Sequence, residues 1–406
     1  MLMGKTQKKL VVVAMSGGVD SSVTAAILQE KGYDCIGMHL HFWTDPQKSP
    51  ESDNLPQNKC CTLGGLEDAR WVCEKLGIPF YVMNVEAQFK ERVVDYFLQT
   101  HAAGQTPNPC VECNRHIKFG QLLDRARELN ADFLASGHYA KVLQNKQNGL
   151  FELWMANDAS KDQTYFLYHL GQEKLAKILF PLGEMQKPQV YELAKKFGLV
   201  RVVEKPQSQG LCFFSEGTPK YFLQRYLPGK LFESGPIMTA DGKVIGEHLG
   251  LPLYTIGQRQ GLGVGGIQGE PAGQGWYVTA MDSKRNALIV GREEAILEHQ
   301  VECASLSFVS GSMPSEKMLV SVRIRHRGAL TPATLTVRDS RGFITSEKPF
   351  RAVAPGQSAV FYQGEKLIGG GVIEDVSLRA LAKQSNTEAR LLRRSTPRND
   401  NVITKV

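Results

Sequence analysis

The 406-residue sequence lacks the features that mark membrane-spanning, secreted and disulfide-stapled proteins. It contains no run of 18 apolar residues, so no transmembrane helix is expected. Its first ten residues hold no apolar signal-peptide core. Eight cysteines in such a chain are more typical of thiols, catalytic groups or metal ligands than of structural disulfides. We therefore expect a cytoplasmic protein.

The body of the chain also has little net charge. The total is +7, but residues 379–406 hold seven basic and two acidic residues, which leaves only about +2 for the rest. Net charge alone is thus weak support for nucleic-acid binding. The segment 379–406 mixes basic and polar residues with Pro397, and we expect it to be largely disordered. It is either a solvated tail or an RNA-contacting arm.

Two patterns of secondary structure divide the chain, which has no internal repeat. Strands alternate with helices over the first two hundred residues, which predicts a parallel sheet with helices on both faces. From Gly235 short strands and turns take over, with hairpin signals at Asp241-Gly242 and 282–286. The all-β region from Val301 favours a small barrel or sandwich. The expected domains are 1–216, a mixed or β central domain 217–296, a β-barrel 297–378 and the tail 379–406.

A glycine-rich turn follows the first predicted strand, the apolar run 10–13, and precedes a predicted helix over 23–31. The turn reads Ala14-Met15-Ser16-Gly17-Gly18-Val19-Asp20-Ser21-Ser22. Glycines let a backbone approach an anion, and the first N–H groups of a helix have no intrahelical partner, so the turn predicts a phosphate cradle. The Gly-Lys-Ser/Thr of a Walker loop is absent. An ordinary turn capped by Asp20 or Ser21 is the alternative.

Two cysteine segments complete the candidate chemistry. Cys110 and Cys113 fall in a stretch after Thr100 that we expect to be a loop, before a predicted helix over 117–129. They could be half a zinc site, a redox pair, or a nucleophile with an accessory thiol. The adjacent Cys60 and Cys61 would make an awkward second half of a zinc site. Cys212 is either a small buried apolar residue or, given its glycine-flanked loop, a functional thiol.

The turn resembles the loop of ATP pyrophosphatases, which split ATP into AMP and pyrophosphate, and over about residues 9–376 the chain resembles the bacterial tRNA-specific 2-thiouridylases. The resemblance rests on ordered motifs: 16–22, Thr106-Pro107-Asn108-Pro109, Cys113-Asn114, Lys118-Phe119, Gly137-His138-Tyr139, 161–166, 180–183, Gly210-Leu211-Cys212-Phe213, 257–263 and 355–362. It implies an adenine nucleotide alpha hydrolase-like N-terminal domain and sulfur replacing O2 of the wobble uridine. ATP, Mg²⁺, a tRNA (Lys, Glu and Gln acceptors) and a persulfide donor, either a cysteine desulfurase or a sulfur-relay protein, are the implied partners.

The resemblance also implies a role for individual residues of this sequence. Cys113 matches the nucleophile and Cys212 the persulfide carrier, and a disulfide between them would follow sulfur release. The implied ATP-binding residues are Ala14, Met15, Ser16, Gly17, Gly18, Val19, Asp20, Ser21, Leu40 and Gly137. The implied target-base segment is Asn108, Pro109 and Cys110. The implied tRNA contacts are His138, Lys161, Asp162, Gln163, Arg325, His326 and Gln357.

Two departures from the family pattern, one strand face with two interpretations and two alternative functions accompany this interpretation. Several family members carry Asp at the position of Cys110, so no catalytic role is assigned to it, and His326 replaces a common Tyr. A predicted strand over 320–327 would put Arg323, Arg325 and Arg327 on one face, as a phosphate-binding stripe or a solvated edge; the resemblance favours RNA. The alternative functions are another ATP-pyrophosphatase-loop enzyme, such as a 4-thiouridine or amide-forming synthetase, and an RNA-binding or zinc-stabilised module.

Overall fold

A computed structural model describes residues 8–46, 63–204, 210–214, 219–264 and 275–374. Cys60, Cys61, the expected domain boundary at 216 and the tail 379–406 lie outside these residues. Within the described ranges no helix is both long enough and apolar enough to cross a bilayer.

The described residues form strands and helices in the following order. The strands are β1 (Leu10–Ala14), β2 (Asp34–His41), β3 (Phe80–Asn84), β4 (Phe133–Ala135), β5 (Ala140–Gln144), β6 (Phe151–Met155), β7 (Ile178–Leu179), β8 (Gly235–Thr239), β9 (Val244–His248), β10 (Tyr277–Asp282), β11 (Ala287–Gly291), β12 (Leu297–Phe308), β13 (Met318–Arg323), β14 (Thr331–Arg338), β15 (Arg341–Arg351), β16 (Ser358–Gln363) and β17 (Lys366–Ile373). The α-helices are α1 (Val19–Glu30), α2 (Leu63–Leu76), α3 (Glu86–Phe89), α4 (Asp95–Ala102), α5 (Pro109–Glu112), α6 (Leu122–Glu128), α7 (Gln172–Leu175), α8 (Lys187–Lys196), α9 (Val200–Val203) and α10 (Pro219–Tyr226). Two π-helical segments, Lys90–Val94 and Cys113–Gln121, join α3 to α4 and α5 to α6.

The predicted parallel sheet with helices on both faces is confirmed. Five strands run in the order β3-β2-β1-β4-β7. Val11 and Val13 pack on the face covered by α1, α2 and α8, whereas Val12 packs on the opposite face with Phe89 and Ile117. Because both faces of β1 are buried, its sequence is a continuous apolar run without polar alternation.

The predicted loop before Ile117 is wrong from Pro109 onward, where a helix begins. Proline at the first helical position is favourable, because its φ angle suits the helix and its missing N–H would be unpaired there. Cys110 lies in this first turn, and Cys113 begins the π-helical segment that follows. A helix of this mixed type does not follow the 3.6-residue period from which the sequence was interpreted.

Both predicted hairpin turns in the central region are confirmed. β8 pairs antiparallel with β9 across Asp241-Gly242, and β10 pairs antiparallel with β11. β11 also runs parallel to β8, which joins the two hairpins into one sheet of order β10-β11-β8-β9. Ile237, Val278 and Leu288 pack in a separate small core beneath this sheet.

The C-terminal strands close into the predicted barrel. The order is β12-β15-β14-β13-β16-β17, and β12 pairs with β17 to complete the ring. β5 and β6 form a hairpin that extends the same sheet, since β6 pairs with β17 at Lys366↔Trp154. The N-terminal half of the chain therefore contributes two strands to the barrel sheet, which sequence patterns did not predict.

The predicted arginine stripe is wrong. β13 ends at Arg323, and Arg327 has a φ of 61° in the turn that follows. Arg323 points inward, where its Nη1 lies 3.2 Å from Oδ2 of the buried Asp162, whereas Arg325 and Arg327 are exposed. Arg323 is held in an ion pair inside the protein, and Arg325 and Arg327 lie beyond the end of β13. The three arginines therefore do not share a strand face.

Candidate functional site

A pocket of about 380 Å³ opens at the carboxyl ends of β1, β2 and β4. Parallel α/β sheets bind ligands at this edge. The implied ATP-binding residues that line it are Ala14, Met15, Ser16, Gly18, Val19, Asp20, Ser21, Leu40 and Gly137. The remaining lining residues include His39, Lys118, His138, Tyr139, Lys161, Gln163, Lys187, His326 and Arg327. The pocket thus combines the glycine-rich turn with several cationic side chains.

The serines of the turn hold its shape and leave the helix N-terminus open. The Ser21 hydroxyl donates to the Gly18 carbonyl at 3.0 Å, and the Ser22 hydroxyl donates to the same oxygen at 2.8 Å. The Ser16 N–H donates to Ser21 Oγ at 3.2 Å. Gly18 is the N-cap of α1 and no side chain caps it, so the alternative of a turn capped by Asp20 or Ser21 is wrong. The first N–H groups of α1 therefore remain available to an anion in the pocket.

The two glycines of the turn serve different purposes. Gly18 lines the pocket. Gly17 does not; its φ is +78°, and a Cβ at this position would lie 2.1 Å from the carbonyl oxygen of Gly65 in α2. Gly17 therefore permits close packing of the turn against a neighbouring helix. Gly137 likewise lets β4 approach α1, because its Cβ would lie 2.8 Å from the Asp20 carbonyl carbon.

Asp20 has two partners that sequence analysis missed. Lys187 Nζ lies 2.5 Å from Asp20 Oδ1, and the Tyr139 hydroxyl donates to the same oxygen at 2.9 Å. The Lys187 side chain is only 9% exposed. Lys187 lies 167 positions from Asp20, and its sequence context, the start of an amphipathic helix, carries no signal for a nucleotide site.

The pocket suits a Mg²⁺ ion that arrives with a nucleotide better than one held by protein alone. Across the ranges that the structure covers, no group of three or more His, Cys, Asp or Glu residues could hold a metal. Asp20 is the carboxylate among the lining residues. Mg²⁺ in nucleotide sites is usually bound by one or two carboxylates together with substrate phosphates, so these residues fit it.

Cys110 and Cys212 lie near one another, beside the helix that also carries Cys113. Cys113 is buried, whereas Cys110 and Cys212 are partly exposed. Burial, and after it the electrostatic interaction with the nearby Cys212, raise the pKa of Cys110 to about 11, while the Lys118 ammonium opposes that rise. Cys212 and Cys113 also contact the same hydrophobic core. Cys110 consequently stays protonated at neutral pH and is a poor nucleophile.

Two phenylalanines anchor the Cys212 segment. Phe213 is 1% exposed, and its ring lies 5.3 Å from Phe97 and 5.4 Å from Phe222. Phe214 stacks on Phe222 at 5.3 Å. These aromatic contacts hold the described segment 210–214 against α4 and α10, so the position of the Cys212 thiol beside α5 depends on them.

Lys118 connects the pocket with the cysteines. It lines the nucleotide pocket, its charge opposes the burial-driven rise in the pKa of Cys110, and it adds to burial in lowering the pKa of His138. Cys113 and Lys118 are five residues apart in the π-helical segment, where residues at that spacing lie one turn apart. A cation at this position stabilises thiolate and phosphate charge alike.

Lys118→Met is expected to raise the pKa of Cys110 further, because it removes the cation that favours the thiolate. Alkylation of Cys110 by iodoacetamide, followed by peptide mass spectrometry from pH 8 to 11, should show a profile displaced to higher pH. Lys118→Arg keeps the charge and should restore the wild-type profile. Superimposable profiles for wild type and Lys118→Met would contradict this assignment.

The segment before Cys110 is held against the barrel. The Gln357 side-chain amide donates to the Thr106 carbonyl at 3.3 Å and to the Pro107 carbonyl at 2.9 Å. Asn108 is 7% exposed, and its amide donates to Ser358 Oγ at 3.5 Å. The resemblance assigns Asn108 to the target base and Gln357 to the tRNA. In the structure their side-chain amides also hold the 106–108 segment against the 357–358 segment of the barrel.

Asp162, an expected tRNA contact, has a buried carboxylate. It is 4% exposed, accepts a hydrogen bond from the Thr164 hydroxyl at 2.8 Å and pairs with Arg323. Through its ion pair with Arg323, the Asp162 side chain connects the 161–163 segment to strand β13 of the barrel. Lys161 and Gln163 on either side line the pocket.

The two expected histidine contacts lie at the pocket as neutral rings. His138 is 9% exposed, its Nδ1 lies 2.8 Å from Ser136 Oγ, and burial lowers its pKa well below the usual value. His326 lies 4.5 Å from the Phe166 ring, and burial followed by the charges of Arg327 and Arg323 lowers its pKa. Neutral rings of this kind suit stacking against a base.

Comparison with known proteins places the whole described chain in one family. Three family models match in succession: a tRNA methyl transferase HUP domain over 9–216, a tRNA methyl transferase PRC-barrel domain over 220–292, and an aminomethyltransferase beta-barrel domain over 298–373. A tRNA-specific 2-thiouridylase MnmA of Chloroflexus aggregans is 45% identical over 89% of this chain and 98% of its own length. Relatives of the same name from Roseiflexus castenholzii (89% of this chain, 98% of theirs) and Heliobacterium modesticaldum (90% and 92%) are each 43% identical.

Proposed function

The chain belongs to the tRNA-specific 2-thiouridylase family, and we propose that it is an ATP-dependent tRNA-uridine 2-sulfurtransferase acting on the wobble uridine. One observation carries the proposal beyond the family name. The pocket lined by the glycine-rich turn continues to Lys118, which interacts with Cys110 on the helix that bears Cys113. A nucleotide-activated base and a sulfur-carrying cysteine could therefore meet within one site.

The first proposed step is adenylation of the target base. Uridine O2 attacks the α-phosphorus of ATP, a bond forms between O2 and that phosphorus, and pyrophosphate leaves. The open N–H groups at the start of α1 would bind the phosphates, with Leu40 and Gly137 beside the nucleoside. Mg²⁺ held by the phosphates and Asp20 would neutralise charge on the pyrophosphate. This step converts a poor leaving oxygen into AMP.

The second proposed step transfers sulfur. The terminal sulfur of a Cys212 persulfide attacks C2 of the base, and AMP leaves with the former O2. The Cys113 thiolate then attacks Cys212 Sγ. The bond between Cys212 Sγ and the sulfur on C2 of the base breaks, and 2-thiouridine departs. The product is a Cys113–Cys212 disulfide, which a dithiol reductant must reduce before the next turnover. The contact of both cysteines with the same hydrophobic core supports their meeting in this step.

The proposed nucleic-acid substrate is a tRNA whose wobble uridine is flipped out of the anticodon loop, with Lys, Glu and Gln acceptors. Unstacking a base is required because its reactive edge is otherwise inside the loop. Asn108, Pro109 and Cys110 would contact the base. The proposed tRNA-contacting groups are His138, Lys161, Asp162, Gln163, Arg325, His326 and Gln357, the last three from the barrel region 297–378. Because the Arg325 side chain is exposed, it supports a contact with the phosphate backbone of the tRNA.

The remaining parts of the proposal concern the domain divisions, the sulfur donor and the cellular compartment. The proposed domain divisions at 216, 296 and 378 lie close to the ends of the three family-model matches. A cytoplasmic cysteine desulfurase or sulfur-relay protein would load Cys212 with the persulfide sulfur. The reaction would then take place in the cytoplasm.

The proposal is tested by incubating the protein with ATP, Mg²⁺, sulfide and unmodified tRNA, followed by mass spectrometry of the nucleosides. We expect 2-thiouridine together with stoichiometric AMP and pyrophosphate. Pyrophosphate release without a thiolated base would instead favour another ATP-pyrophosphatase-loop enzyme, such as a 4-thiouridine or amide-forming synthetase. Stoichiometric zinc and no pyrophosphate would favour the RNA-binding or zinc-stabilised module.

A further inference from the structure

Lys187 is a buried lysine whose backbone and side chain are both fixed at the nucleotide pocket. It is the first residue of α8, and its N–H donates to Asp158 Oδ2 at 2.9 Å. A reciprocal capping box between Gln186 and Gln189 fixes the start of the same helix. The side chain then extends into the pocket lining at 9% exposure. Such fixed placement of a buried cation is costly unless the cation has a purpose or a partner.

The partner visible in the structure is Asp20, at the first turn of α1. Both the Lys187 ammonium and the Tyr139 hydroxyl donate to Asp20 Oδ1. The ammonium also lies 5.6 Å from the Tyr139 ring and 5.2 Å from the Tyr191 ring. Aromatic faces stabilise a cation without neutralising it. The ammonium therefore lies beside the helix N-terminus that the proposed function assigns to ATP phosphates.

We propose that Lys187 is a phosphate ligand of bound ATP, and that Asp20 and Lys187 exchange partners when the nucleotide enters with Mg²⁺. This inference rests on the proposed function, because it assumes that the pocket takes ATP. Before binding, the carboxylate balances the ammonium. Afterwards a phosphate oxygen balances the ammonium, and the carboxylate becomes an oxygen ligand for the metal ion. Both charges stay paired throughout the exchange, so the buried Lys187 ammonium is never left as an isolated ion.

The exchange predicts that two variants respond to Mg²⁺ in opposite ways. Lys187→Met keeps the aliphatic stem against the tyrosines but removes the charge, so ATP should bind about 10- to 100-fold more weakly both with and without Mg²⁺. Asp20→Asn should bind ATP more tightly than wild type without Mg²⁺, because it frees the ammonium and removes a repelling carboxylate. With Mg²⁺ present the same variant should bind ATP more weakly than wild type.

Isothermal titration calorimetry with ATP and with adenosine, each with and without Mg²⁺, measures these effects independently of catalysis. Adenosine carries no phosphate, so its affinity should not change in Lys187→Met, and Lys187→Arg should recover most of the ATP affinity. Lys196→Met is the matched control, since Lys196 lies on the exposed side of the same helix in an ion pair with Glu30. Thermal unfolding of each variant checks that α8 remains folded.

The inference is overturned if Lys187→Met weakens ATP and adenosine equally, which a purely structural lysine would do, or if it weakens neither. It is also overturned if Asp20→Asn lowers ATP affinity by the same factor with and without Mg²⁺. Failure of wild-type protein to bind ATP under any condition would instead reject the proposed function, and the inference with it. If wild-type protein binds ATP more tightly than adenosine, and Lys187→Met binds ATP as tightly as wild type, the inference is rejected while the proposed function stands.

Discussion

Cys113→Ala is expected to abolish 2-thiouridine formation while leaving ATP binding intact. In the proposed mechanism the Cys113 thiolate breaks the sulfur–sulfur bond that holds the base to Cys212, and alanine offers no nucleophile for that step. A loss of about three orders of magnitude or more is the usual result of removing a nucleophile. Cys113 lies in the core beside Ile117 and does not line the nucleotide pocket. ATP affinity should therefore stay near the wild-type value.

Single-turnover assays with tRNA and a persulfide donor, read by nucleoside mass spectrometry, measure this loss. Cys303→Ala is a matched control, because Cys303 is also a buried cysteine but lies inside the barrel. It should lose some stability and little activity. Cys212→Ala should fail with the persulfide donor yet keep some activity with free sulfide, which would identify it as the carrier. Wild-type rates in Cys113→Ala would reject its role as nucleophile.

Gly17→Ala is expected to destabilise the protein by about 2–4 kcal/mol, whereas Gly18→Ala, one residue later, should have a small effect on stability. Gly17 has a φ of +78°, and a Cβ there would lie 2.1 Å from the Gly65 carbonyl oxygen. Neither backbone can move without shifting α2 or the turn. Gly18 has a φ of −89°, and its nearest neighbour would be Ser16 Oγ at 3.5 Å, an ordinary contact.

Urea unfolding midpoints of the two variants, compared at equal protein concentration, measure the difference. Stability is compared rather than ATP affinity, because Gly18 lines the pocket and an alanine methyl group there would also affect ATP binding directly. Both substitutions add the same single methyl group to the same turn, so composition cannot account for a difference between them. Equal midpoints would contradict the assignment of Gly17 to packing against α2.

The helix that bears the cysteines illustrates where sequence patterns fail. The stretch 109–116 contains proline, two cysteines and polar residues, which resemble a loop when read at the period of an α-helix. The structure continues the helix into the π-helical segment Cys113–Gln121, which is kinked at Phe119. Such a segment is stabilised by packing, here of Ile117 and Phe119 in the core, and has no signature of its own in the sequence.

The sequence by itself determined the strand–turn–helix of the glycine-rich loop, the alternation that predicts a parallel sheet, and the Asp241-Gly242 hairpin. Each depends on residues close together in the chain, whose preferences are local. Only the tertiary structure decided that Lys187 pairs with Asp20, that Arg323 turns inward to Asp162, and that β6 joins the barrel. These partners lie more than 150 positions apart, and packing of the whole core brings them together.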